Sequence, residues 1–104
     1  MTTKIIAELN DKFRNLGRYR MTPGVQSLAK EKQFELIQLV RDFDCFTTGN
    51  DPYGEHDFGK VTMDGEDYFW KIDCYDLDLK HLSQNPADSN LTKRVLTIMR
   101  SSEY

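Results

Sequence analysis

The chain has 104 residues, 38% of them hydrophobic and 30% charged, with 14 Lys/Arg against 17 Asp/Glu for a formal net charge of −3. That length supports a single domain over residues 1–104 with one core. Its two cysteines are too few for a disulfide scaffold or a four-thiolate metal site. The longest apolar runs fall far short of the roughly 20 residues that span a bilayer, and Lys4, Glu8, Asn10 and Asp11 interrupt the start of the chain where a secretory signal would be apolar. A cytoplasmic domain without membrane contact is therefore expected.

Thr2 or Thr3 can cap a first helix. Ile5, Leu9 and Phe13 follow at spacings of four, Ile6 and Leu16 widen the stripe, and Gly17 offers a left-handed stop. The stretch RYRMTPGVQS reads as a connection punctuated by Pro23-Gly24, with Ser27 as the next cap. A second helix is predicted over 28–43, with Phe34, Ile37, Val40 and Phe43 on one face and Leu36 and Leu39 beside them.

Asp64-Gly65 between two strand-like runs is a strong hairpin signal. A turn there pairs Met63 with Glu66, Val61 with Tyr68 and Gly59 with Trp70 on one face. It pairs Thr62 with Asp67, Lys60 with Phe69 and Phe58 with Lys71 on the other. Strand alternation then gives a core face of Tyr68, Trp70, Ile72 and Cys74, where the missing side chain of Gly59 leaves room for the indole. Phe69, Lys71, Asp73 and Tyr75 lie on the outer face, expected to be wet and carboxylate-rich. Residues 83–90, SQNPADSN, are a loop by composition, and His81 before it is a surface residue. In RVLTIMR, Val95, Thr97 and Met99 alternate with Leu96, Ile98 and Arg100, and the β-branched content favours a strand over a short helix. The expected fold is α+β: two N-terminal helices packed on one face of a small antiparallel sheet of about three strands, with a central β-hairpin.

The blocks TPGVQSL at 22–28, VRDFDCFTTGNDPYGEHDFG at 40–59, FWKIDCYD at 69–76, NPAD at 85–88 and RVLTIM with Glu103-Tyr104 resemble a bacterial family of small proteins, the domain of unknown function numbered 3768. The resemblance covers 22–104 and leaves the N-terminal helix (1–20) outside it. It implies no established activity. It does imply a setting on plasmids and other mobile elements, which suits proteins that act on host defence or plasmid upkeep.

Charge is divided unevenly. Residues 1–41 carry a net +4, residues 42–91 a net −9, and residues 92–104 a net +2. The middle segment should repel nucleic acid and attract cationic partners over roughly 8–10 Å of salty solvent. Arg14, Arg18 and Arg20 at one end, and Lys93, Arg94 and Arg100 at the other, are sparse, so direct nucleic-acid binding is not expected.

The densest polar run, Asn50 to Asp57, has two readings. As turn chemistry, Asp51 bonds nearby amides and Gly54 supplies a positive φ. As a docking loop, Asp51, Tyr53, Glu55, His56 and Asp57 join Phe69, Lys71, Asp73 and Tyr75 of the outer face to meet a basic protein. The run lacks the periodicity of a calcium loop and the spacing of a zinc site, so neither a metal nor a cofactor is implied. Extending the hairpin register sets Asp57 across from Ile72 and His56 near Asp73, so a His56–Asp73 hydrogen bond is expected. No nucleophile is placed beside that pair, and no catalytic residue is assigned. Cys45 and Cys74 read as small packed hydrophobes in a reducing compartment, Cys45 made a poor nucleophile by its acidic neighbours.

The leading expectation is an acidic protein-interaction module, in its sharper form an inhibitor of a nucleic-acid-handling defence protein of anti-CRISPR or anti-restriction type. The alternatives are a hydrolytic or metal-dependent enzyme centred on His56, Asp57 and Asp73, and a regulatory partner of a plasmid protein.

Overall fold

The computed structural model describes residues 2–16 and 18–104, so the expected stop at Gly17 lies outside the described residues. The elements run in the order α1 (Thr2–Leu16), β1 (Tyr19–Met21), α2 (Pro23–Gln26), α3 (Lys30–Arg41), β2 (Phe58–Met63), β3 (Glu66–Tyr75) and β4 (Lys93–Arg100), followed by a 3-10 turn at Ser101–Glu103. The class is α+β. The sheet has four strands in the order β1-β4-β3-β2 and is mixed, where about three antiparallel strands were expected. The extra strand is β1, read from sequence as part of a connection. It pairs parallel with β4, Tyr19 beside Leu96 and Met21 beside Ile98. Three residues cannot display an alternation, so this strand is defined by a partner more than 70 positions away.

The hairpin forms as its turn residues dictate. Every pair from Phe58–Lys71 to Met63–Glu66 matches the expected register. Asp64 and Gly65 both take positive φ, as the favoured two-residue hairpin turn requires. β4 then pairs antiparallel with β3, Trp70 beside Ile98 and Ile72 beside Leu96. Trp70, Tyr68, Ile72, Leu96 and Ile98 are buried together with Val25, Leu36, Val40, Val61 and Met63. A Cβ at Gly59 would stand 2.7 Å from Trp70 Cε2 and 2.9 Å from Phe43 Cε1. Glycine is thus required where the backbone passes against the indole.

The helices turn much of the expected stripes inward, with Ile6 buried and Phe13, Ile37, Leu39 and Phe43 packed on the core beside Val40 and Leu36, but they depart from expectation in detail. In α1 the inward residues are Ile6, Ala7, Asn10 and Arg14, while Ile5 and Leu16 are exposed. Two polar residues can turn inward because the core supplies their partners. Asn10 Nδ2 donates to the Glu55 carbonyl at 2.9 Å, Arg94 Nε donates to Asn10 Oδ1 at 2.7 Å, and Arg14 Nη2 donates to the Phe43 carbonyl at 3.0 Å. In α3 the buried pair is Leu36 and Val40. Phe34 lies about 200° around the helix from Leu36 and is 70% exposed. Ser27 caps no second helix. It ends the short α2, its N–H donating to the Pro23 carbonyl. α3 therefore starts at Lys30 rather than 28 and stops at Arg41 rather than 43.

The outer sheet face is neither acidic nor wholly wet. By register it carries Lys60, Lys71, Lys93 and Arg20 against Asp67 and Asp73, a cationic excess. At one end Tyr104 packs edge-on against Phe69 at 5.2 Å and near Phe58 at 5.8 Å, and Met99 beneath is buried. The C-terminal turn holds Tyr104 there. Glu103 accepts from the Thr22 hydroxyl at 2.6 Å, the Gly24 N–H at 2.9 Å and the Arg100 N–H at 2.9 Å. The start of α2 and the end of β4 are thereby clasped together.

Candidate functional site

The loop from Phe43 to Asp57 closes over the helix side of the sheet, and its own side chains build it. Asn50 Oδ1 accepts from the Thr47 N–H at 2.9 Å, and Asn50 Nδ2 donates to the Cys45 carbonyl at 3.0 Å. The Asp51 carboxylate turns inward and accepts from the N–H groups of Glu55 and His56 at 3.1 and 3.2 Å. Gly54 takes φ +68°, as the turn reading expects. His56, not a glycine, also adopts a positive φ of 56°, a conformation that needs outside support.

That support is extensive. The His56 ring stacks on Phe46 with centroids 3.8 Å apart and planes 2° from parallel. Its Nδ1 lies 2.9 and 3.0 Å from the two oxygens of Asp11. A carboxylate can only accept at that distance, so Nδ1 is the protonated nitrogen. Nε2 lies 3.7 Å from Asp51 Oδ2, beyond hydrogen-bond length. Phe46 in turn stands near Arg14, whose guanidinium carbon is 5.4 Å from the Phe46 centroid and 5.0 Å from the Trp70 ring. Arg14 Nη1 donates to Asp11 at 3.2 Å. A chain of contacts thus runs from Trp70 through Arg14 and Asp11 to His56.

The expected His56–Asp73 hydrogen bond does not form. The positive φ of His56 and its stack on Phe46 turn the ring to Asp11 on α1, and Asp73 pairs instead with Lys71 at 3.1 Å. The extended register does hold in the backbone, where Ile72 N–H donates to the Asp57 carbonyl at 2.8 Å.

Four carboxylates nevertheless gather at this edge. Burial pushes the Asp57 carboxyl above its usual range, and the charges of Asp51 and Asp73 push it the same way. Glu55 is raised by burial first, then by Asp57 and Asp51. The nearby Cys74 thiol is also held up, mainly by burial. Among the described residues, neither Glu55 nor Asp57 has an ion-pair partner. Tyr53 stands beside them, 80% exposed. No three His, Cys, Asp or Glu side chains among the described residues are arranged to hold a metal ion.

The nine residues singled out from sequence fall into three groups. Asp51 and His56 are committed to holding the loop. Tyr53, Glu55 and Asp57 are carried by it at or near the surface. Phe69, Lys71, Asp73 and Tyr75 share the outer face, partly buried, with Phe69 against Tyr104. Cys45, expected to be packed, is exposed, while Cys74 is partly buried. His81 is exposed as expected.

Two features escaped sequence reasoning. Asp11 reaches His56 across 45 positions, and nothing in an amphipathic stripe marks it as a partner. The run Asp76-Leu77-Asp78-Leu79 alternates carboxylates and leucines before Lys80-His81-Leu82, and its apolar side chains stay exposed. That alternation was the available signal.

Helices thus cover one face of a four-stranded mixed sheet, with an acidic, internally braced loop at the rim. The chain belongs to the family described as a protein of unknown function, DUF3768, which matches over residues 21–103. The match takes in β2, β3 and β4 with the last residue of β1, and leaves α1 outside. No curated protein and no solved structure matches the chain. Among the described residues, no helix is long and apolar enough to cross a membrane.

Proposed function

We propose that the protein is an interaction module that presents the rim of the 50–57 loop to a cationic surface of a partner protein. One observation carries this reading: Glu55 and Asp57 are fixed in place by a braced loop and have no ion-pair partner among the described residues. Like charges held together are unfavourable, and a cationic partner relieves them. Tyr53 beside them adds exposed aromatic area of the kind enriched at interfaces. The outer sheet face, with its cationic excess, is not part of this acidic surface.

Within this reading, the partner is a nucleic-acid-handling protein whose Arg/Lys-lined groove takes carboxylates in place of phosphates. Inhibition of a host defence enzyme of anti-CRISPR or anti-restriction type is the sharpest form of that proposal.

Affinity capture from a lysate of the source cells, followed by mass spectrometry, tests it. The expected result is a basic, nucleic-acid-binding protein that is released by high salt, displaced by its own nucleic acid, and lost with the Glu55→Lys/Asp57→Lys variant. Asp51 is left intact because its buried carboxylate holds the loop. Capture that survives both the double reversal and high salt would overturn the proposal.

A further inference from the structure

Between β3 and β4 the chain leaves the sheet for residues 76–92 and carries four leucines into solvent: Leu77, Leu79, Leu82 and Leu91, at 51, 52, 73 and 44% exposure. The excursion is internally fixed. Asp76 N–H donates to the His81 carbonyl at 2.8 Å, Leu79 N–H to the Asp76 carbonyl at 3.0 Å and Lys80 N–H to Asp76 Oδ1 at 3.0 Å. Ser83 N–H donates to the Cys74 carbonyl at 2.9 Å, and the Ser83 and Thr92 hydroxyls meet at 2.6 Å. Leu79 is held at φ +60°, a conformation that a leucine adopts only under constraint. Between these turns lies a groove of about 430 Å³ lined by Asp76, Leu77, His81, Leu82, Gln84 and Leu91. Clefts that bury ligand side chains commonly measure about 300–1,000 Å³.

We propose that this leucine groove is the docking site for a basic amphipathic helix of the partner protein. The proposal rests on the reading above, that the protein engages a cationic partner, and gives that partner a form. Charge selects the occupant. Asp76 lines the groove, Asp78 and Asp88 lie in the same excursion, and Lys80 is its only lysine or arginine. Backbone N–H groups, Lys80 foremost, hold the Asp76 carboxyl below the usual range, so it stays ionised near neutrality. An anionic lipid surface would be repelled by this rim. A second copy docking about a two-fold axis would set the rim against itself. A helix with leucines on one face at three- and four-residue spacing and lysines on its flanks satisfies both the leucines and the carboxylates.

The probe is a 14-residue Leu/Lys amphipathic peptide, titrated into the isotopically labelled full chain and followed by the protein's amide NMR signals. Shifts are expected at 76–84 and at Leu91. A Leu77→Gln/Leu82→Gln variant should weaken binding by roughly tenfold or more, with its melting temperature unchanged because both side chains sit in solvent. Asp78→Lys should weaken binding severalfold at low salt, an effect that fades as salt is raised. Shifts confined to Tyr53–Asp57 would overturn the groove and leave the acidic-loop reading standing, while shifts in neither region would overturn both. A Leu/Glu peptide that binds equally well would overturn the choice of a basic helix. Concentration-dependent broadening of the same leucines without peptide would assign the groove to a second copy and overturn the partner.

Discussion

The two faces of the sheet share the same strands and are stabilised by different means. On the indole side every β3 residue from Tyr68 to Ile72 that points inward is buried, and the polar intruders Asn10 and Arg14 arrive with partners. On the outer side the same strand offers Phe69, Lys71, Asp73 and Tyr75, all part-exposed and tied by aromatic edges and a surface ion pair. Shape determines stability on the first face, because a close-packed interior has no slack. Solvent competes for most contacts on the second, the buried Met99 excepted.

Substitutions along this contrast should grade from severe to negligible. Trp70→Ala empties the centre of the core and should cost about 3–5 kcal/mol. Gly59→Ala adds one methyl against the same indole and should cost about 1–3 kcal/mol. Both are read by denaturant unfolding, and a mild effect for Trp70→Ala would mean that the indole is not the keystone of this face. Arg14→Met keeps the volume between Phe46 and Trp70 but leaves the Phe43 carbonyl without its donor, for a loss of about 1–3 kcal/mol. Faster hydrogen exchange across 50–57 should accompany it, because Asp11 and His56 lose their brace.

Asp57→Asn should do the reverse, stabilising by less than about 1 kcal/mol near neutral pH. Its carboxyl is raised in the folded state, so the stability linked to it is complete below the ordinary carboxylate range and is lost as pH climbs through the raised value. The gain over the parent should therefore vanish in acid and be greatest near neutrality, as thermal melts across pH would show. Least of all, Lys71→Ala removes an outer-face ion pair with 40% and 29% side-chain exposure and should change stability by about 0–1 kcal/mol.

The hairpin was legible because a two-residue Asp-Gly turn fixes register, and register fixes which side every following residue takes. From that one signal came the pairing of Gly59 with Trp70 and the core identities of Tyr68 and Ile72. The brace of the 50–57 loop was half legible. Asp51 and Gly54 act through neighbours in sequence, whereas His56 depends on Asp11, 45 positions distant. The inward side of α1 was misread in part because hydrophobicity places Asn10 and Arg14 in water, and distant partners, the carbonyls of Glu55 and Phe43 and the Arg94 guanidinium, reverse that preference. The net charge of 42–91 also misled. Segment charge is not face charge, since alternate residues of one strand project to opposite sides.

Arg14 lies outside the stretch that defines the family, yet its guanidinium fills the slot between Phe46 and Trp70. A chain trimmed to begin at Arg18 would keep every strand and lose the plug. The vacated gap, walled by two rings with the Phe43 carbonyl at hand, would then favour small planar cations, and free guanidinium-bearing compounds should rescue the trimmed chain where alkali salts do not.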